Sequence, residues 1–120
     1  MIQRFDQVVL TVADAIRSQA FYKTVFEMTP LPAEEGIGVA FGEEKILFQQ
    51  IGDELRHHAL EGAGHLSLIS ELSAEQLIMH FEQLQVELLE GPIDKGAYVA
   101  FVMYDLDRNL IQVKSTKTAA

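Results

Sequence analysis

The feature that most constrains this chain is an internal repeat: the order strand, helix, three strands occurs twice, beginning near Phe5 and again near His65. In the first pass, Phe5 to Val12 alternates so that Val8, Leu10 and Val12 point one way and Phe5, Gln7, Val9 and Thr11 the other. Asp14 is placed to cap a helix in DAIRSQAFYKTVFEM, whose Ala20, Phe21, Val25 and Met28 gather on one side. Pro30 and Pro32 end that helix and lead through EEGIG into VAFG and KILFQQI, two short strands joined around Gly42-Glu43-Glu44. In the second pass HLSLIS is an alternating strand. Ser73 and Gln76 then make a capping box for a helix with Ala74, Leu77, Ile78, Phe81 and Leu84 on one face. Val86 to Leu89, Ala97 to Met103 and Asn109 to Lys114 read as strands. Gly91-Pro92 reads as a turn and Asp105 to Asn109, DLDRN, as a tight link.

A βαβββ unit covers one sheet face with its helix and leaves the other open, so two units are expected to share that open surface. The predicted fold class is therefore α+β, with two tandem βαβββ modules whose curved sheets form a shared cup. One domain spans residues 1–120, with module 1 over about 4–52, a connector over about 53–63 and module 2 over about 64–115. The connector, polar and bounded by glycines, has room for a short helical turn. With 48% apolar residues in 120, the chain can bury one real core.

Period two also decides which side chains face the cup. With Val8, Leu10, Ile46, Phe48, Leu66, Leu68, Ile111 and Val113 on the helix sides, the cup receives Gln7, Lys45, Leu47, Gln49, His65, Ser67, Ile69, Leu110, Gln112 and Lys114. Phe5, Val9, Tyr98 and Val102 add an apolar lining suited to a small organic molecule. His65 is read either as an inward histidine hydrogen-bonded within the cup or as a ligand or general base. His57, His58, Glu71, Glu90 and Arg108 are read as surface or edge residues, and His80 as a partly exposed helix-flank residue.

Composition removes several classes of function. There is no cysteine, hence no disulfide framework, no thiolate nucleophile and no sulfur ligand for a metal. With 18 acids against 9 bases, a net charge of -9 and no basic cluster, the chain is not expected to bind nucleic acid. No apolar run approaches the roughly 20 residues of a membrane span. The opening MIQRFDQVVL is strand-like rather than a basic leader followed by an apolar core, and a cytoplasmic location is expected.

The run FDQVVLTVADAIRSQAFYKTVFEM, then GHLSLIS, a helix, EGP and DLDRNLIQV, resembles the vicinal-oxygen-chelate superfamily in order and spacing from about Arg4 to Val113. That superfamily includes glyoxalase I, bleomycin-resistance proteins, fosfomycin-modifying enzymes, methylmalonyl-CoA epimerase and extradiol dioxygenases. The resemblance implies a homodimer and, in metal-dependent members, an ion held by the first and last strands of each module. The usual first-strand histidine falls on Gln7 and the second module's histidine on His65. The closing-strand carboxylate falls on Gln112, and that of the first module on Leu47 or, with a two-residue shift, Gln49. The family's closing turn, Asp-Pro-Asp-Gly-Asn, reads Asp105-Leu106-Asp107-Arg108-Asn109 here. Three readings follow: a small-molecule-binding protein of the bleomycin-resistance type with no metal; a lyase, isomerase, epimerase or dioxygenase that holds a divalent transition metal on an unusual set, Gln7, His65 and Gln112; or a structural or interaction protein whose cup is closed by its own side chains. In the second, His65 is the candidate catalytic residue. The ligand-binding set in the first two is Phe5, Gln7, Leu47, Gln49, His65, Ser67, Tyr98 and Gln112.

Overall fold

A computed structural model of the chain describes residues 1–52 and 62–117. It divides into two compact units, Met1–Leu60 and Glu61–Ala120. The first contains β1 (Val8–Val12), α1 (Ala15–Phe26), β2 (Thr29–Pro30), a short 3-10 turn (Ala33–Glu35), β3 (Gly38–Phe41) and β4 (Glu44–Gln50). The second contains β5 (His65–Ser73), α2 (Ala74–Gln83), β6 (Leu88–Asp94), β7 (Val99–Tyr104) and β8 (Leu110–Lys117). The two four-stranded sheets have the same plan, β1-β4-β3-β2 and β5-β8-β7-β6: the first strand of each lies parallel beside the last, and the remaining pairs are antiparallel. The α+β class and the repeated βαβββ order are thus present. No helix among the described residues is long and apolar enough to cross a membrane.

In the first unit, alternation sends Leu10, Val12, Ile46 and Phe48 to one face, where all four are buried. They pack with Tyr22, whose ring lies 5.0 Å from that of Phe48 and 5.4 Å from that of Phe26. Each such side chain is worth roughly 1.5–3 kcal/mol over its exposed state, so this face holds the sheet and α1 together. Of the stripe expected from the sequence, Val25 and Met28 are buried but Ala20 and Phe21 are not. The buried residues of α1 are Ala15, Ser18, Tyr22 and Val25, while Ala20 is exposed and Phe21 half-buried. At 100° per residue, positions 15, 18, 22 and 25 lie within one narrow arc and Ala20 falls almost opposite. Nor do the prolines end α1. Glu27 takes the left-handed conformation, with φ 56°, and its N–H turns back to the Tyr22 carbonyl. At the other end Asp14 accepts from Arg17 N, and Gln50 Oε1 accepts from Ala15 N, so both caps come from short-range and sheet side chains together.

Strand boundaries move throughout, β7 to Val99–Tyr104 and β8 to Leu110–Lys117 among them, and three further shifts bear on the fold. β1 begins at Val8, and Phe5, which has no ladder partner, is 82% exposed. β5 runs on to Ser73 and passes directly into α2, whose capping box of Ser73 and Gln76 is formed as expected. The third is β6: Gly91-Pro92 is not a turn but lies inside this strand, with a cis peptide bond. β6 is an edge strand, and its pairing with β7 shifts register on both sides of Glu90. An edge tolerates proline because the missing donor faces away from the ladder. Gly91 has φ 112°, and a Cβ there would come within 2.6 Å of the Ala100 carbonyl oxygen, so no other residue fits without a backbone shift. The core of this unit is Leu77 and Phe81 on α2 against Phe101, Met103, Ile111 and Val113, with the Phe81 and Phe101 rings 5.7 Å apart.

Candidate functional site

The face of the second sheet away from α2 carries three rows of side chains. Because β8 buries Ile111 and Val113 toward the helix, Leu110, Gln112 and Lys114 take the other face. The ladder then fixes the neighbours of each. His65, Leu110 and Tyr104 form the first row; Ser67, Gln112, Val102 and Glu90 the second; Ile69, Lys114, Ala100 and Ile93 the third. Neighbouring strands lie about 4.8 Å apart, so a row of three spans about 10 Å, the length of a small organic molecule. His65 and Gln112 therefore share a face, as expected from alternation, but not a row: Ser67 stands opposite Gln112 and donates its hydroxyl to Gln112 Oε1 at 3.2 Å.

Two stacked cations flank these rows. The Arg108 guanidinium carbon lies 4.6 Å from the centre of the Tyr104 ring, and Lys114 Nζ lies 4.6 Å from that of Tyr98. Beside the first row a cleft of about 390 Å³ is lined by Gly62, Tyr104, Arg108 and Leu110. Its wall is the DLDRN turn, held by the buried Asp105 carboxylate. Oδ1 accepts from the N–H groups of Asp107 and Asn109, both at 2.9 Å, and Oδ2 accepts from Asn109 Nδ2 at 3.0 Å. Asn109 Oδ1 in turn accepts from Gly64 N at 2.8 Å, and Leu110 N donates to the Gly64 carbonyl. The turn thereby sets the start of β5, and with it His65. Arg108, read from the sequence as a surface residue, is exposed but forms part of this cleft.

In the first unit Leu47 pairs with Val9 on one side and Gly38 on the other, and Gln49 pairs with Thr11. All lie on the face away from α1. Gln7 and Phe5 precede the ladder and are exposed. Gly38 has no room for a side chain: a Cβ would run into the Ile46 carbonyl oxygen and meet Leu31 Cδ1 at 2.8 Å. Lys45, on the same face, is held at 2.8 Å by Glu35. That hydrogen bond first, and the charge of Glu35 second, raise the Lys45 ammonium above its ordinary pKa.

Whether these residues fit the divalent ion implied by the resemblance can be judged from the donors. Among the described residues no group of three or more His, Cys, Asp or Glu side chains is assembled to hold a metal. On the second sheet the donors of this face are one exposed imidazole, His65, the neutral oxygen of Gln112, which already accepts from Ser67, and two scattered carboxylates, Glu90 on the edge strand and Glu71 near the far end of β5, which form no ligand group with His65. A transition ion is ordinarily neutralised by carboxylates and held by several imidazoles, so this set does not fit one. His57 and His58 lie outside the described residues. Sequence reasoning missed Tyr104, because β7 was expected to stop at Met103. Extending the alternation of Ala100 and Val102 by one more step would have found it.

No family model matches the chain. Known structures do. An integron cassette protein of Vibrio cholerae is 31% identical, with 98% of each chain covered and a TM-score of 0.81. A virulence protein of Salmonella typhimurium is 26% identical over 121 residues, covering 94% of this chain and 84% of that protein, and its crystal structure superposes with a TM-score of 0.80. At lower identity the likeness is one of fold. Lactoylglutathione lyase of Agrobacterium tumefaciens is 16% identical over 96% of this chain and 95% of that one, with a TM-score of 0.74. A fosfomycin resistance protein of Listeria monocytogenes is 18% identical over 98% and 95%, with a TM-score of 0.72, in a mutant complexed with Mn(II) and a dihydroxypropylphosphonic acid.

Proposed function

The chain belongs to one family with the Vibrio cassette protein and shares its fold with the lyase and the fosfomycin resistance protein, and from that premise we propose that it is a member of the vicinal-oxygen-chelate superfamily that binds a small organic molecule on the helix-free face of its second sheet without the usual catalytic metal. The observation that carries this reading is the pair Ser67 and Gln112. Where the sequence resemblance implies a carboxylate, this chain has a neutral amide whose oxygen is already engaged by a hydroxyl. Such a pair suits a polar group on an organic ligand, since the Gln112 amide nitrogen donates while its oxygen is fixed. Leu110, Val102 and the two tyrosines supply the apolar and aromatic area that holds the body of the ligand. The working form in this reading is a cytoplasmic homodimer.

The test is elemental analysis of untagged protein purified without chelator, on the native chain and on His65→Ala, paired with a small-molecule screen read by thermal shift and amide NMR. Substoichiometric metal after incubation with zinc, nickel, manganese and iron, together with ligands that shift the amides of β5, β7 and β8, is the expected result. One equivalent of a transition ion that is lost with His65 would overturn it in favour of the metal-dependent reading. That second reading draws on the exposed His65 imidazole and on the Mn(II) in the Listeria protein.

A further inference from the structure

Resting on that reading of the site, the geometry points to an organic anion as the ligand, its charged group held at Arg108 and its apolar body lying along Tyr104 and Leu110 toward His65 at the far end of the row. The first row provides the frame. His65, Leu110 and Tyr104 stand side by side on three adjacent strands, and Arg108 closes the Tyr104 end over a cleft of about 390 Å³. The guanidinium sits over the Tyr104 ring, its carbon 4.6 Å from the ring centre. Its N–H donors lie in the guanidinium plane, where a carboxylate or phosphonate is met edge-on. The ring thus orients a fork that would otherwise swing freely on a long side chain.

Charge on this face differs from charge on the chain. The whole sequence carries twice as many acids as bases. Among the described residues this face sets Arg108, Lys114 and the His65 imidazole against Glu90 on the edge strand and Glu71 near the far end of β5, with Asp107 next to Arg108 in the turn. The first row contains no acid, and the nearby Asp105 carboxylate is turned inward, where three N–H donors occupy it. The backbone adds an independent sign. Arg108 sits at φ 60°, a left-handed conformation that glycine or asparagine adopts far more readily. A bulky residue held in such a conformation beside a cleft is the pattern of strain tolerated for a binding role.

Four probes of matched size separate the alternatives: benzoate, phenylphosphonate, benzyl alcohol and benzyltrimethylammonium, each titrated into isotope-labelled protein and followed by amide NMR. Benzoate or phenylphosphonate is expected to shift His65, Tyr104, Arg108 and Leu110, to bind about tenfold more weakly to Arg108→Gln, and to weaken as salt is raised. Which of the two binds more tightly distinguishes a planar from a tetrahedral anion. Arg108→Gln keeps the left-handed backbone strain and removes only the charge, and its thermal unfolding serves as the control for folding. Binding of benzyl alcohol or the ammonium to the same residues with no preference for the anions would overturn the anion assignment and leave the small-molecule reading standing. Anion binding undiminished in Arg108→Gln would also overturn it. Failure of all four probes, with no shift on this face, would remove both.

Discussion

Substituting Asp105 by Ala removes the centre of the DLDRN turn. Three hydrogen bonds end on that carboxylate, at 2.9, 2.9 and 3.0 Å, and Asp105 is only 6% exposed. Bonds to a charged acceptor contribute about 1.5–3 kcal/mol each, but they are not independent. Asn109 is itself buried, so its N–H and its amide nitrogen would be left without this acceptor. The expected loss is about 3–4 kcal/mol in total, which for a chain of this size lowers Tm by roughly 10–15 °C. Because Asn109 also accepts from Gly64 N, the damage should spread to the start of β5 and displace the amide resonances of Gly64 and His65. Asp105→Asn should lose about half as much: it retains one oxygen for the two backbone donors but turns a donor toward Asn109 Nδ2. Urea unfolding with calorimetry measures the loss, and amide NMR its extent. A loss below about 1 kcal/mol, or one that leaves Gly64 and His65 unmoved, would refute the claim that this turn positions β5.

Gly38→Ala should destabilise by about 2–4 kcal/mol, since the new methyl meets backbone oxygen rather than a side chain that can swing away; urea unfolding checks it. Ser115→Ala should cost about 1–2 kcal/mol, because the buried Ser115 hydroxyl donates to the Leu72 carbonyl at 2.6 Å beside the β5 irregularity. Arg108→Gly should leave Tm within about 3 °C of the native value: relief of about 1–2 kcal/mol of left-handed strain is offset by the entropy of glycine, about 0.5–1 kcal/mol, and by lost stacking on Tyr104 of about 0.5–1 kcal/mol. Lys45→Met should leave Tm unchanged at neutral pH, because the Glu35 contact is exposed. As the Lys45 pKa is raised in the folded chain, any stability it contributes is complete below the ordinary lysine value and disappears as pH climbs through the raised one; a pH series on the native chain and the variant tests that sign.

What the sequence by itself determined is the part governed by local period. The alternation of Val8, Leu10 and Val12, of Ile46 and Phe48, and of Ile111 and Val113 assigns a face to each residue with no knowledge of partners, and the structure buries these faces as expected, with Val8 exposed at the margin. The capping box at Ser73 and Gln76 is likewise a contact within one turn. Tertiary structure decided the rest, because the rest depends on residues distant in the chain. Which arc of α1 is buried was set by the sheet beneath it, where Tyr22 meets Phe48, and the weak amphipathicity of the helix left Ala20 and Phe21 equally plausible. That β6 passes through Gly91-Pro92 follows from its place at a sheet edge, and strand order is not written in a strand's own residues. The site shows the same division. Alternation placed His65, Ser67 and Gln112 on one face, but only register put Ser67 opposite Gln112 and aligned His65 with Leu110 and Tyr104. Register is a long-range property, fixed here by a parallel pairing across some 45 residues and by the Asp105 turn that anchors its start.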